Sequence, residues 1–245
     1  MPPVVHAAKA PGITTLTLDS PANRNALSAD LVATLRAALA DAGADPQVRA
    51  VVLTHTGTTF CAGADLKSPC DPADFLALLR EIAELPKPVV ARVTGHVRAG
   101  GLGLLGVCDI AAAGPQSTYA FTETHLGLAP AVISVPLLPR LDPRAAARYF
   151  LTAEAFDAAE ATRIGLLTLH ADDVDEGLEP VLAGLRKASP QGLAATKSLT
   201  AAAVREAVAQ DGARMTELSA GLFASDEARE GITARFERRN PSWAM

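Results

Sequence analysis

Apolar and polar positions alternate in two periods along the first half of the chain. Ile13 to Asp19 reads Ile-Thr-Thr-Leu-Thr-Leu-Asp, the period of two that a half-buried strand requires, and Ser20-Pro21-Ala22-Asn23 ends it. Ser28 offers an N-cap hydroxyl to a helix from Ala29 to Ala42 that carries Leu31, Leu35 and Leu39 on one face. Val48 to His55 is apolar almost throughout, as a strand covered on both faces is. A turn-rich segment, Thr56 to Leu66, follows. Asp71 to Leu85 returns to the helical period with Phe75, Leu78, Leu79 and Ile82 together, and Pro86 and Pro88 stop it. A strand from Val89 to Val93, a glycine-rich turn, an apolar helix from Gly101 to Val107 and a strand from Ile110 to Ala113 come next. Alternating strands and helices predict an α/β fold with a mostly parallel sheet.

After Pro130 the pattern becomes helix upon helix. Ala131 to Leu141, Pro143 to Thr152, Asp157 to Leu166, Val174 to Lys187 and Gly192 to Gln210 are predicted helices, with one strand at Leu167 to Ala171. Ser225 caps a last amphipathic segment running to Arg238. No internal repeat, low-complexity linker or charge block interrupts the 245 residues. A chain of that length buries roughly three quarters of its unfolded surface without needing staples.

Composition narrows the chemistry. Cys61, Cys70 and Cys108 form no Cys-x-x-Cys pair and have no nearby histidine, which argues against a disulfide framework and a zinc site. A net charge of −5 supplies no basic patch for nucleic acid. No basic stretch leading into an apolar one opens the chain, and no run of about 18 apolar residues occurs, so the expectation is a soluble cytoplasmic protein with no membrane partner.

The candidate chemistry lies between Val93 and Pro130. There a β-branched strand runs through a glycine turn into a helix start, and Gly100 can aim an unpaired N–H at an anion or a developing negative charge. Glu123 follows in a short polar island, Thr-Glu-Thr-His, between apolar runs. A donor site and a carboxylate in one segment suggest enolate chemistry.

Taken in order, Asn23-Arg24-Asn25-Ala26-Leu27, Phe60-Cys61-Ala62-Gly63-Ala64-Asp65-Leu66, Gly100-Gly101, Cys108-Asp109-Ile110, Glu123, Leu126-Gly127-Leu128-Ala129-Pro130, Leu151-Thr152 and Ala159 to Leu166 resemble the crotonase, or enoyl-CoA hydratase/isomerase, superfamily. The bacterial methylglutaconyl-CoA-type hydratases are nearest in look. The resemblance implies an α/β crotonase-like ββα spiral over residues 1–190 and a C-terminal helical trimerisation region over 191–245, packing on the core or on a neighbouring subunit. It implies an acyl-CoA thioester substrate, no cofactor beyond the coenzyme A of that substrate, and a homotrimer or homohexamer.

Carried over residue by residue, the resemblance makes Ala64 and Gly100 the oxyanion-hole donors and Glu123 the proton carrier. Arg24, Ala26, Leu27, Ala62, Asp65, Leu66, Gly101 and Gly103 become substrate-binding positions. Donors placed where charge develops on the thioester oxygen supply about 3–4 kcal/mol each. Gly103 stands where hydratases of the family carry a first glutamate. A hydratase working through Glu123, a Δ3,Δ2-enoyl-CoA isomerase with one carboxylate, and a non-catalytic homologue binding CoA or a protein all remain open, with the hydratase preferred.

Arg24, and Lys67 less directly, suit the phosphates of CoA. Arg98 is unusual in so apolar a loop, next to Ala99, which replaces a family glycine. It pairs with a structural carboxylate or recognises a carboxylated acyl group, and the structural pairing is preferred. His125 is placed to orient Glu123 or a water, or is simply a packed or surface histidine; Cys108 and Asp109 read as packing and capping residues.

Overall fold

The computed structural model describes residues 4–245. Strands β1 (Val5–Ala10) and β2 (Ile13–Leu18) pair antiparallel, and α1 (Ala29–Ala44) starts where the Ser28 hydroxyl accepts from Leu31 N. Three strand–strand turns then follow: β3 (Ala50–His55) with β4 (Thr59–Cys61), β5 (Val89–Val93) with β6 (His96–Arg98), and β7 (Ile110–Ala113) with β8 (Thr118–Ala120). Each turn ends in a helix: α2 (Pro72–Glu84), α3 (Gly100–Val107), and, after a 3-10 turn at Glu123–Leu126, α4 (Ala131–Leu137).

The first strand of each turn joins one sheet and the second joins another. The larger sheet runs β1-β2-β3-β5-β7-β10 and is parallel beyond its first pair; β10 spans Leu169–His170. The smaller runs β4-β6-β8-β9, closed by β9 (Phe156–Asp157) antiparallel to β8. A repeating ββα path between two sheets is the spiral that the resemblance implies. Its second sheet is absent from the pattern-based expectation of one parallel sheet, because its parallel strands are three residues long and too short to show a period.

The remaining helices are α5 (Pro143–Thr152), α6 (Ala158–Arg163), α7 (Val174–Lys187), α8 (Pro190–Thr200), α9 (Ala202–Phe223) and α10 (Asp226–Glu237). The single helix predicted over 192–210 is two. Ser189 and Pro190 start α8, the Ser189 hydroxyl accepting from Gly192 N. The break at Ala201 follows a last turn pinned by the Lys197 ammonium, which donates to the carbonyls of Ile82 (2.7 Å) and Lys87 (3.0 Å) and meets Asp109 at 2.8 Å. Asp109 also accepts from Val89 N, so it locks α8 to the edges of β5 and β7 beyond merely capping α3.

The helix predicted from Ala131 to Leu141 ends at Leu137. Ile133, Val135 and Leu137 are buried within the chain, where α4 packs on α3 and α9; Leu138 is the exposed one of that run. Helix α3 is buried from Gly101 to Val107, and only its first residue, Gly100, is partly exposed. Helix α10 packs on the 3-10 turn that carries Glu123. No helix among the described residues is long and apolar enough to cross a membrane.

Candidate active site

Two loops converge at the start of α3. Asn25, fully buried in a left-handed conformation at φ 53°, accepts from Ser20 N and donates to the carbonyls of Thr56 and Thr59, fixing the loop from Arg24 to Leu27 against β4. Leu27 then bridges the 63–65 backbone: its N–H donates to Gly63 O at 2.8 Å and its carbonyl accepts from Asp65 N at 3.3 Å. In such a bridge the intervening Ala64 N–H points away from Leu27 and has no protein acceptor among the described residues.

Gly100 N–H, the first of α3, lacks an intrahelical acceptor for the ordinary reason at a helix start. The two donors are close neighbours: a Cβ added to Gly100 would lie 3.7 Å from Ala64 N and 2.8 Å from Leu27 Cδ1. A side chain at Gly100 would therefore fill the space between the loops. Ala99, just before it, holds φ 46° and ψ −122°, a conformation costly for any residue with a Cβ.

Ala64, Gly100 and Glu123 line one cleft of about 1720 Å³. The Glu123 side chain is buried, its Oε2 has no hydrogen-bond partner, and burial pushes its pKa up to about 7. A carboxyl held there exchanges its proton near neutrality, as a general acid and base must. His125 also lines the cleft but makes no hydrogen bond to Glu123 Oε2. Burial raises the Cys70 thiol, another cleft residue, to about 11, so it is protonated at neutral pH and is no nucleophile.

Arg24, Ala26, Leu27, Ala62, Asp65, Leu66 and Lys67 line the same cleft. The side chains of Arg24 and Lys67 are exposed and make no hydrogen bond, whereas Asp65 is used internally, accepting from Asn23 Nδ2, Lys67 N and Ser68 N. Gly101 and Gly103 are not part of the wall. A Cβ on Gly101 would meet Cys61 O at 2.7 Å, and the space beside Gly103 is occupied by Ile133. Arg98 lines the cleft without the structural carboxylate preferred for it from the sequence, since its partners are carbonyls and a hydroxyl.

The wall also contains residues that the sequence does not assign to the site: Phe75 of α2, Val132 and Ile133 of α4, and Arg235, Phe236 and Trp243 from α10 and the tail beyond it. Their helical spacing marks Phe75 and Ile133 as inward-facing, but which cavity they border is set by long-range packing.

The chain matches the family model described as Enoyl-CoA hydratase/isomerase over residues 8–245. It is 51% identical to an enoyl-CoA hydratase from Mycobacterium avium of known crystal structure, with a TM-score of 0.94 and 100% of each chain covered. An enoyl-CoA hydratase/isomerase structure from Pseudoalteromonas atlantica T6c gives a TM-score of 0.87 at 29% identity, covering 98% of this chain and 100% of that one. The mevalonyl-coenzyme A hydratase sidH of Aspergillus fumigatus is 30% identical over 251 residues, 95% of this chain and 92% of its own length.

Proposed function

The chain belongs to the enoyl-CoA hydratase/isomerase family, and on that premise we propose that it adds water across the C2=C3 double bond of an acyl-CoA thioester, with Glu123 as the one proton carrier. The observation that carries this reading is the pairing, in one cleft, of two unengaged N–H donors at Ala64 and Gly100 with a buried carboxyl whose Oε2 is unpartnered.

Attack of water at C3 drives charge onto the thioester oxygen, where the Ala64 and Gly100 N–H groups receive it. Preorganised donors of this kind lower the barrier by about 3–4 kcal/mol each. Ionised Glu123 takes a proton from the attacking water and returns it to C2, so hydroxyl and hydrogen are both delivered and the carboxylate is regenerated. Arg24 and Lys67 are exposed and line the cleft, and a guanidinium and an ammonium there suit the phosphates of CoA. The coenzyme A moiety enters with the substrate, and no further cofactor is part of this scheme. We assign the assembly as a homotrimer or homohexamer in which exposed Leu138, Leu151 and Leu199 meet neighbouring copies.

One observation favours a second reading, Δ3,Δ2-enoyl-CoA isomerisation. Gly103, where a two-carboxylate hydratase has its first glutamate, has its side-chain space filled by Ile133, so Glu123 stands alone. A single carboxylate suffices to move a proton between C4 and C2. Incubation with crotonyl-CoA and 3-hexenoyl-CoA in heavy-oxygen water, followed by chromatographic separation of the thioester isomers and mass analysis of each, separates the two. Incorporation of the label into crotonyl-CoA supports hydration; conversion of 3-hexenoyl-CoA without incorporation assigns isomerisation; no reaction of either removes the catalytic reading.

A further inference from the structure

His55 ends β3 where the chain leaves the larger sheet, and its buried ring bonds to two strand-to-strand turns. The Thr94 N–H, between β5 and β6, donates to His55 Nε2 at 3.1 Å. A backbone N–H can only donate, so Nε2 is the unprotonated nitrogen and the ring proton sits on Nδ1. Nδ1 then donates to the carbonyl of Thr56, between β3 and β4, at 3.2 Å. The partners thus fix the imidazole as neutral and in one tautomer.

Both turns are stems of the donor site. From Thr56 the chain enters β4 and reaches Ala64; from Thr94 it enters β6 and reaches Gly100. His96 N donates to Thr58 O at 3.0 Å, a direct bond between the stems. The His55 ring packs into this crossing: Phe60 of β4 meets it edge-on with centroids 5.7 Å apart, and a Cβ added to Gly95 would lie 2.9 Å from His55 Cε1. Thr56 O also accepts from Asn25 Nδ2 at 3.1 Å, so the loop that brings Leu27 to the Ala64 segment is held at the same carbonyl. Three backbone segments around the two donors therefore meet at one side chain.

Protonation would cut this link. Nε2 would then carry a hydrogen of its own, the Thr94 N–H would lose its acceptor, and the ring would turn to the Thr94 hydroxyl, 3.3 Å away. Burial holds the pKa of His55 below its ordinary 6.5, and Arg92 of β5, itself paired with Asp175 at 2.6 Å, pushes it the same way. From the side of β1 and β2, Asp19 accepts from the Thr56 hydroxyl at 2.5 Å, and His6 lies 2.9 Å from Asp19.

Resting on the acyl-CoA reading of the cleft, we propose that His55 is a positioning residue for the oxyanion donors: its neutral imidazole couples the Ala64 loop to the Gly100 turn, and the two N–H groups bond the thioester oxygen fully only while that link is intact. His55 lies outside the cleft wall, so it acts through the backbone and not on the substrate.

The test reads the thioester carbonyl directly. Butyryl-CoA labelled with carbon-13 at that carbonyl, a saturated thioester that cannot be hydrated, is bound to full-length wild type, H55Q and H55N at pH 8, and its carbonyl stretch is followed by isotope-edited infrared spectroscopy. Hydrogen bonds to the oxygen move the band to lower wavenumber. Glutamine presents its amide oxygen where Nε2 stood and keeps an acceptor for Thr94 N–H, whereas asparagine reaches only the place of Nδ1. Wild type and H55Q should displace the band alike. H55N should displace it less than about half as far, with kcat down at least about tenfold on whichever of crotonyl-CoA and 3-hexenoyl-CoA wild type converts. The Kd of butyryl-CoA should stay within about threefold across the three proteins, because the donors act mainly on the transition state. A purely structural role would lower stability and leave the band in place.

Equal displacement by H55Q and H55N, large or small, overturns the proposal and leaves the acyl-CoA reading intact. Should H55N not fold, wild type and H55Q compared from pH 8 to 5 carry the test: the displacement should shrink in wild type and hold in H55Q, and equal behaviour of the two overturns the proposal. Failure of wild type to bind butyryl-CoA removes the acyl-CoA reading and the proposal with it.

Discussion

Gly103 and Ile133 interlock: a Cβ added to Gly103 would lie 2.5 Å from Ile133 Cγ2 and 2.9 Å from its Cβ. The contact is with a β-branched side chain close to its own backbone, so no flexible tip can swing aside. Helix α3 can pack on α4 at this level because one partner is a glycine and the other fills its space. Introducing a glutamate at Gly103 alone combines overpacking with a buried carboxyl, and G103E should lose at least about 3 kcal/mol. I133A alone should lose about 2–5 kcal/mol to a cavity. Combined, the second change makes room for the first, so the double variant should be more stable than the sum of the singles by more than about 1 kcal/mol. Urea unfolding of the four proteins checks this, and simple additivity would show that the two positions do not share the space.

If the double variant also places two carboxyls in the cleft, it should hydrate crotonyl-CoA faster than wild type, because the pair can clamp the attacking water. Turnover at or below that of I133A would mean the introduced group points away from Glu123.

Glu123 couples the chemistry to stability. Its pKa rises from 4.5 to about 7 on burial, so the folded protein favours the neutral carboxyl. The stability this gives, relative to an ionised group, is fully present below about pH 4.5 and is lost as pH rises through about 7. The cost at pH 8 is about 3 kcal/mol. E123Q stays neutral at every pH. It should therefore match wild type in stability near pH 4.5, exceed it by up to about 3 kcal/mol at pH 8, and have no measurable turnover. In wild type, kcat/KM for hydration should fall as pH drops below about 7, where the base is protonated. Parallel stability curves for the two proteins from pH 4.5 to 8 would contradict the buried assignment.

Strain at Ala99 is a separate matter. Its φ of 46° with ψ −122° suits glycine, and relief of about 1–3 kcal/mol is partly offset by glycine's greater freedom in the unfolded chain. A99G should gain about 1 kcal/mol, or roughly 2–4 °C in Tm. A lower Tm would show that the alanine methyl contributes packing worth more than the strain.

Much of this architecture is legible in the sequence, and the rest fails for identifiable reasons. Val89–Val93, Pro143–Thr152 and Val174–Lys187 coincide with their pattern-based bounds, the two helices because Asp142 and Asp173 act as N-caps. Strand β6 is missed because His96-Val97-Arg98 is one alternation long inside a glycine-rich stretch. The place of Ala64, Gly100 and Glu123 in one cleft follows from motifs met in order along the chain. Ile133 displays its helical face in the sequence but not its opposite number, and Gly103 is named a substrate-binding position by the resemblance, with no local pattern to show that Ile133 fills the space beside it. No local pattern in the sequence marks Lys197 as buried, because its partner Asp109 comes from a distant element.

Helix α10 holds the turn of Glu123 from outside through two glycines. A Cβ on Gly231 would sit 2.6 Å from the Leu126 carbonyl carbon and oxygen, and one on Gly127 would sit 2.7 Å from the Glu227 carbonyl carbon. Backbone meets backbone there, so an added methyl can be accommodated only if the helix and the turn separate. Alanine is otherwise the better helix former by about 1 kcal/mol, so any loss in G231A has to come from this contact. Separation displaces Glu123 relative to the Ala64 and Gly100 donors, and misplacement by about 1 Å costs on the order of 100-fold in rate. G231A should therefore remain folded while kcat/KM for the acyl-CoA substrate falls at least about tenfold. G184A is the matching control, because a Cβ there meets nothing within 4 Å and α7 lies outside the cleft wall. It should gain up to about 1 kcal/mol with unchanged kinetics. Wild-type kcat/KM in G231A would show that α10 covers the turn without positioning it.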